Sequence, residues 1–274
     1  MKKILCLVCM LLMLMPLAVA DEDNEIYIEE IIEDVMITAD GEEIPLSEEA
    51  EESQEAETVN PAREDLIDRI ISLGEELYHK ANGKAQRAHY SGDIYVCKNF
   101  TTYLFRQNRD DFRMAEYPNK TLIVPNNLPS SQCKPYYYGM FWEEKTAKDG
   151  NPFVVGAQFL YDSELTYEQN FQLACDFMRE AKRGDYLQIS ANYEYGTGAH
   201  SAIVIEDYDA ENDVIHWMDS NMRGKKVNGI RYGIVQFDEV KSVEWWAGTF
   251  CHKKRGATLY RLRDDIIYVG GAGE

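Results

Sequence analysis

Residues 198–221 read GAHSAIVIEDYDAENDVIHWMDSN. Two runs rich in β-branched and aromatic residues flank a polar turn here, which predicts a β-hairpin. A turn centred between positions 210 and 211 opposes His200 to Asn221, and a centre between 209 and 210 opposes His200 to Asp219. Opposed side chains lie about 4.5–5.5 Å apart at Cβ and diagonal ones about 7–8 Å, so either register leaves a partner within reach of the imidazole. The intermediate register, with Ser220 opposite His200, would point the side chains of Asp219 and Asn221 to the face of the sheet opposite the imidazole.

A nucleophile for this histidine lies well before the hairpin, at Cys97. Apolar residues at helical spacing follow it, which predicts an amphipathic helix from Cys97 to about Arg106. A helix N-terminus and a nearby imidazolium lower a thiol pKa from about 8.5 to roughly 3.5–7.5. Cys97 would then act as nucleophile and His200 as general acid and base. Either Asp219 or Asn221 would orient the ring, which completes a candidate cysteine-hydrolase site.

Such a reaction also needs hydrogen-bond donors for the oxyanion that develops on the carbonyl oxygen. The backbone N–H of Cys97 is one donor. A second is expected from the loop before it, where His89, Tyr90 and Tyr95 stay open as candidates.

The remaining cysteines are less suited to catalysis. Cys133 precedes Lys134-Pro135, which is wrong for a helix start after a nucleophile. Cys175 falls within an amphipathic helix, and Cys251 lacks a later histidine with an orienting group. At most one disulfide can form among these three, and the pair is open. Their spacing contains no paired CxxC, so we expect neither a metal nor another cofactor.

The charge of the chain is concentrated near its start. Residues 1–20 have a basic start, a short apolar run and small residues ending at Ala20, which predicts a signal peptide and a secreted or cell-envelope protein. Residues 21–60 are expected to form an acidic disordered linker or a prosegment. The net charge is −20, and residues 21–57 hold seventeen acidic residues with no Lys or Arg. Once the two lysines of the signal are also set aside, residues 58–274 carry only about −5, and without a basic surface we expect no nucleic-acid partner.

Residues 61–265 are expected to form one domain, followed by a C-terminal tail at 266–274. Helices are predicted from Glu64 to about Ala81, at Cys97, and from about Thr166 to Lys182. Strands follow at 186–190, 201–208, 213–218, 232–237 and 258–262. Residues 107–160 are the least regular part. Helices first and a largely antiparallel sheet afterwards predict an α+β fold, with no membrane span after signal removal.

Four short pieces of this domain resemble the papain-like superfamily of cysteine hydrolases, closest to its bacterial CHAP and NlpC-type branches. The pieces are Val96–Leu104, Gly184–Gln188, Ala199–Val204 and Asp219–Asn221. The resemblance implies N-terminal helices, with the catalytic cysteine at a helix start, packed on an antiparallel sheet that carries the histidine. It also implies cleavage of peptide amide bonds, often in cell-wall peptidoglycan, without a metal. Lys98 departs from the serine that usually follows the NlpC-type cysteine.

Two other functions fit the same residues. Transglutaminase-like acyl transferases use the same order of Cys, His and Asp, and a binding protein could keep this fold without turnover. Peptide or peptidoglycan is the expected substrate in the first interpretation. The sequence leaves the oligomeric state open.

Overall fold

The computed structural model describes residues 59–89, 92–124, 150–222 and 227–270, which belong to a unit bounded by Glu55 and Glu274. The predicted signal peptide at 1–20 and nearly all of the acidic segment at 21–60 lie outside the described residues, as do Tyr90 and Cys133. Within the described ranges, no helix is both long and apolar enough to cross a membrane.

The first helix, α1 (Pro61–Ala81), is fixed at both ends by asparagines. The Asn60 side chain accepts hydrogen bonds from two backbone N–H groups of the first turn, at 2.9 and 3.3 Å. The first position of a helix tolerates a proline such as Pro61, because an N–H at that position would have no partner within the helix. Asn82, with φ of 48°, takes the left-handed conformation that ends many helices. The helix therefore begins three residues before the Glu64 expected from periodicity alone.

Three further α-helices are described: α2 (Cys97–Asn108), α3 (Tyr167–Arg179) and α4 (Val243–Cys251). Short 3-10 segments lie at Arg109–Asp111 and Tyr193–Tyr195. α3 begins in a capping box, in which Thr166 and Gln169 each bond the other's backbone N–H. α4 was not expected from the sequence. Its N-cap is Ser242, whose hydroxyl accepts from the Trp245 N–H at 3.2 Å.

Nine strands are described, and all of their pairings are antiparallel. In chain order they are β1 (Gln86–Arg87), β2 (Phe112–Met114), β3 (Phe153–Phe159), β4 (Tyr186–Ile189), β5 (His200–Val204), β6 (Val214–Met222), β7 (Tyr232–Ser242), β8 (Ala257–Leu262) and β9 (Ile266–Tyr268). Seven of them form one sheet in the order β1-β7-β6-β5-β4-β8-β3, and β2 pairs with β9. The α+β class predicted from the sequence is confirmed.

The large sheet is covered by helices on both faces. One apolar cluster joins α1 and α2 to the sheet through Tyr186, Ile203, Met218 and Tyr260. A second cluster joins α3 and α4 to it through Leu187, Val204, Trp217 and Leu259. The two sets alternate along the strands, since successive strand residues point to opposite faces. Burial on both faces explains why residues 202–205 are apolar without a break.

The small sheet lies where the sequence predicted little order. β2 falls in the irregular stretch 107–160, and β9 falls in the expected tail at 266–274. Ile266 is buried in the core beside α1 and α2, and it pairs with Met114. The folded unit therefore continues past residue 265, the boundary expected from the sequence.

An ion pair at the start of β4 ties this strand to β8, its neighbour on the side away from the strand that carries His200. Asp185 is fully buried and accepts two hydrogen bonds from Arg261, at 2.9 and 2.8 Å. The Lys182 N–H donates to the same carboxylate at 2.9 Å. Gly184, with φ of 86°, supplies the left-handed turn before it. Asp185, part of one of the pieces that carry the family resemblance, therefore has a structural role here.

Candidate active site

The first turn of α2 carries Cys97. The preceding residue, Val96, gives no side-chain cap, so the first N–H groups of α2 remain for other acceptors. α2 packs against β5 and β6 and buries Phe100 and Leu104 completely. This packing brings the partly buried thiol to the first residue of β5, His200, with which it forms a hydrogen bond.

The imidazole of His200 connects the thiol to a carboxylate. Its Nε2 lies 2.8 Å from Oδ2 of Asp219, on the neighbouring strand β6. Because Nε2 is engaged by Asp219, the nitrogen that faces the Cys97 thiol is Nδ1. The His200 side chain is 17% exposed and that of Asp219 only 5%, so water does not separate the pair. Cys97, His200 and Asp219 form one continuous hydrogen-bonded chain.

The hairpin takes one of the two registers that the sequence allowed. Ile203 pairs with Met218, which corresponds to a turn centred between positions 210 and 211. Continued along the strands, this register would set His200 level with Asn221. The hydrogen bond goes instead to Asp219, the diagonal neighbour on the same face. Asn221 lines the cavity beside them.

The electrostatics of the pair favour a thiolate and an imidazolium. Burial by itself raises the pKa of Cys97, but the hydrogen bond and charge of His200 and the backbone N–H groups of Ser201 and Lys98 lower it below its ordinary value. Burial by itself lowers the pKa of His200, but its hydrogen bonds to Asp219 and Cys97 raise it to about 10. Both pKa shifts are in the direction that would suit Cys97 to act as a nucleophile and His200 as a proton donor.

A second contact joins the loop before Cys97 to the strand of Asp219. The Ser220 hydroxyl donates to the Tyr95 carbonyl at 2.8 Å. Gly233 on β7 leaves space for this contact, since a Cβ there would lie 2.6 Å from the same carbonyl oxygen. The nucleophile and the orienting acid are thus linked by a bond between their near neighbours in sequence.

A cavity of about 420 Å³ lies on the α4 side of His200. Its lining includes His200, Asp219, Asn221, Trp217, Trp246 and Arg255, and Cys97 is not part of it. A second cavity, of about 660 Å³, lies against α3 and α4. Four residues line both cavities: Thr197, Trp245, Thr249 and Arg255. The two cavities therefore share a wall next to the candidate catalytic histidine.

Two residues of this wall were missed by sequence reasoning. Trp245 is 46% exposed and stacks on Trp217, with 6.1 Å between ring centroids. Arg255 lies in the polar run HKKRG, which reads as surface, yet it is only 6% exposed. Only the tertiary fold distinguishes it from its two lysine neighbours.

Three residues before Cys97 were candidates for the second oxyanion donor, and the structure does not assign this role to any of them. His89 is exposed, and its backbone N–H donates to Asp93 at 2.8 Å. The Tyr95 carbonyl accepts from the Ser220 hydroxyl, a bond that uses none of the donors of Tyr95. Tyr90 lies outside the described ranges, so the second oxyanion donor stays a prediction without an assigned residue.

The predicted packing role of Cys175 fits its burial in the cluster of α3 and α4, where Cys251 also lies. Cys97, Cys175 and Cys251 are all free thiols in the described part of the chain. The fourth cysteine, Cys133, lies outside it.

Comparison of this chain with protein-family models, with curated proteins and with solved structures finds no match.

Proposed function

We propose that this protein is a cysteine hydrolase of peptide or amide bonds, with Cys97 as nucleophile, His200 as general acid and base, and Asp219 as the group that orients the imidazole. The observation that carries the proposal is the hydrogen-bonded chain from the thiol through the imidazole to the buried carboxylate. A structural cysteine has no need of such a chain, and burial alone would raise its pKa.

The reaction follows from the charges of this chain of residues. The Cys97 thiolate attacks the carbonyl carbon, and the backbone N–H of Cys97 donates to the developing oxyanion. The C–N bond then breaks as His200 gives its proton to the leaving amine, which leaves a thioester on Cys97. His200, now neutral, takes a proton from water as the water attacks the thioester. The carboxylic acid product departs, and the thiolate and imidazolium are restored.

The fold and compartment belong to the same proposal. Helices packed on an antiparallel sheet, with the thiol at a helix start and the histidine at a strand start, are compatible with a papain-like domain. The signal-peptide pattern at residues 1–20 supports export, and the resemblance to the CHAP and NlpC-type branches supports peptide bonds of peptidoglycan as the substrate. We place the protein among secreted bacterial cell-wall hydrolases on this basis.

The test is incubation of the chain lacking residues 1–20 with cell-wall sacculi and with a peptide library, followed by mass spectrometry. Cleavage should occur with the natural sequence and be lost with Cys97→Ala. An added amine should leave the products unchanged. Amine-capped products would instead identify acyl transfer at the same thiol. Equal product patterns from both proteins would eliminate the proposal.

A further inference from the structure

Arg255 is a buried cation without a carboxylate partner in the described part of the chain. Its Nε donates to the Ser190 carbonyl and its Nη2 to the Gly198 carbonyl, both at 2.8 Å. Among the described residues, no acceptor lies at Nη1. Burial lowers the pKa of Arg255 to about 10, so the guanidinium remains charged at neutral pH. A buried charge with only carbonyl partners is costly, and a bound anion would offset part of that cost.

The position of the guanidinium connects it to the candidate site. Ser190 directly follows β4, and Gly198 lies two residues before β5, so Arg255 spans the ends of the two strands that pair at Ile189 and His200. Arg255 also lines both cavities and lies between them. Arg255 therefore belongs to the wall that a substrate beside His200 would contact.

The charges around the wall shared by the two cavities favour the binding of an anion there. Asp219 lines the nearer cavity, but its carboxylate is held by His200 at 2.8 Å. The Cys97 thiolate attracts Arg255 through space, and no hydrogen bond is described between them. The lining of the second cavity includes Glu244 together with Lys253 and His252. Arg255 is thus the one buried cation of this shared wall among the described residues.

The proton transfer from His200 decides which half of a substrate would lie in the cavity that Arg255 lines. His200 must be within hydrogen-bond reach of the leaving nitrogen to protonate it, so the leaving half lies on the histidine side of the scissile bond. The cavity that contains Arg255 is on that side. The planar fork of an arginine matches the two oxygens of a carboxylate better than a lysine ammonium does.

We propose that Arg255 binds a carboxylate on the leaving half of the substrate, which makes it the residue that selects acidic or carboxy-terminal peptides. The apolar face of Trp245, on the same wall, would pack against the aliphatic part of that group. This inference rests on the proposed function, since it needs Cys97 and His200 to define the two halves of the substrate.

The experiment measures protection of Cys97 against iodoacetamide by short leaving-group mimics, with the modified site identified by peptide mass spectrometry. Glycylglycine carries a main-chain carboxylate, aspartic acid α-amide carries a side-chain carboxylate, and glycylglycinamide carries neither. One charge-assisted hydrogen bond is worth about 1.5–3 kcal/mol, so a carboxylate should protect at concentrations about ten- to a hundredfold lower than the neutral amide. The better of the two acids identifies the source of the carboxylate.

Arg255→Gln should abolish the stronger protection by the two carboxylates. Arg255→Lys should reduce it, because lysine lacks the planar guanidinium that bonds both oxygens of a carboxylate. Arg106→Gln is the matched control, since it removes one exposed cation near the other end of α2 and should retain the advantage. Equal protection by acid and amide in the natural sequence would overturn the proposal, even if neither Arg255 variant folds. An advantage that persists in a folded Arg255→Gln variant would also overturn it.

Failure of the proposed function would appear differently. Cys97 would then react with iodoacetamide no faster than an ordinary thiol and would not respond to His200→Ala. That comparison needs none of the three mimics.

Discussion

Two histidine–aspartate pairs in the described part of the chain have nearly equal lengths and different surroundings. His200 and Asp219 are joined at 2.8 Å, and His216 and Asp238 at 2.7 Å. The carboxylate of the first pair is 5% exposed and that of the second 55%. The first pair also meets a thiol at a helix start. A short distance between an imidazole and a carboxylate therefore does not identify a candidate catalytic site. Burial and a third reactive group do so.

The largest expected difference between the pairs is in turnover. His200→Ala removes both the proton donor and the imidazolium that lowers the pKa of Cys97, so the rate of amide cleavage should fall by about 10²–10⁴-fold. His216→Ala should leave the rate unchanged. Rates are measured with whichever peptide the library screen identifies, and iodoacetamide alkylation of Cys97 at pH 6 gives a second measurement without a substrate. Equal losses for the two variants would remove the distinction between the pairs.

The two carboxylates should differ less, but in the same direction. Asp219→Asn keeps the shape of the side chain and removes the charge that favours the imidazolium, so cleavage should slow by about ten- to a hundredfold. Asp238→Asn should have no effect on cleavage. Asn221→Ala tests the alternative partner. If it slowed cleavage more than Asp219→Asn, the diagonal contact would not be the functional one.

The pH dependence of cleavage should reveal the first pair alone. The pKa of His200 is raised to about 10, so its proton is present at neutral pH and is lost as the pH rises through that value. The rate of cleavage should therefore stay constant up to about pH 9 and fall near pH 10. His216→Ala should not change the pH at which it falls. Alkylation of Cys97 should not decline there, because it needs no proton donor. A decline of cleavage near pH 6.5 would contradict the coupling of His200 to Asp219 and Cys97.

Stability should show the smallest effect. The exposed pair of His216 and Asp238 should contribute less than about 1 kcal/mol to the free energy of unfolding. Asn tolerates the left-handed conformation of Asp238, whose φ is 53°, so Asp238→Asn introduces no new strain. Urea unfolding followed by circular dichroism measures the difference. A loss of several kcal/mol would mean that this pair, too, has a structural role that its exposure conceals.

The sequence predicted the parts of the site that follow from local periodicity. Strand parity alone placed Asp219 and Asn221 on one face, two of the three hairpin registers placed His200 on that face too, and helical spacing placed Cys97 at a helix start. The choice between Asp219 and Asn221 depends on register and on side-chain reach across the diagonal, which no local pattern encodes. The role proposed for Arg255 depends on the burial of one residue in a polar run, where it bonds the carbonyls of Ser190 and Gly198, which are distant in sequence.

The fold was predicted where elements are long and apolar on a face. α4 was missed because its nine residues are too few for a clear period, and both of its tryptophans suggested core. β3 was missed because it lies in a stretch dominated by prolines, and β9 because it is only three residues long. Their places are fixed by partners distant in sequence, such as β8 for β3 and β2 for β9.

The bond between Ser220 and Tyr95 has a mechanical consequence. Asp219 directly precedes Ser220, and Cys97 lies two residues after Tyr95. A displacement of the loop that contains Tyr95 would therefore move both Cys97 and Asp219. The bond therefore ties the segment that carries the sulfur to the strand that carries the carboxylate. Gly233→Ala, which would press a methyl group on the Tyr95 carbonyl, should decouple the two and make turnover more temperature-dependent while leaving the protein folded.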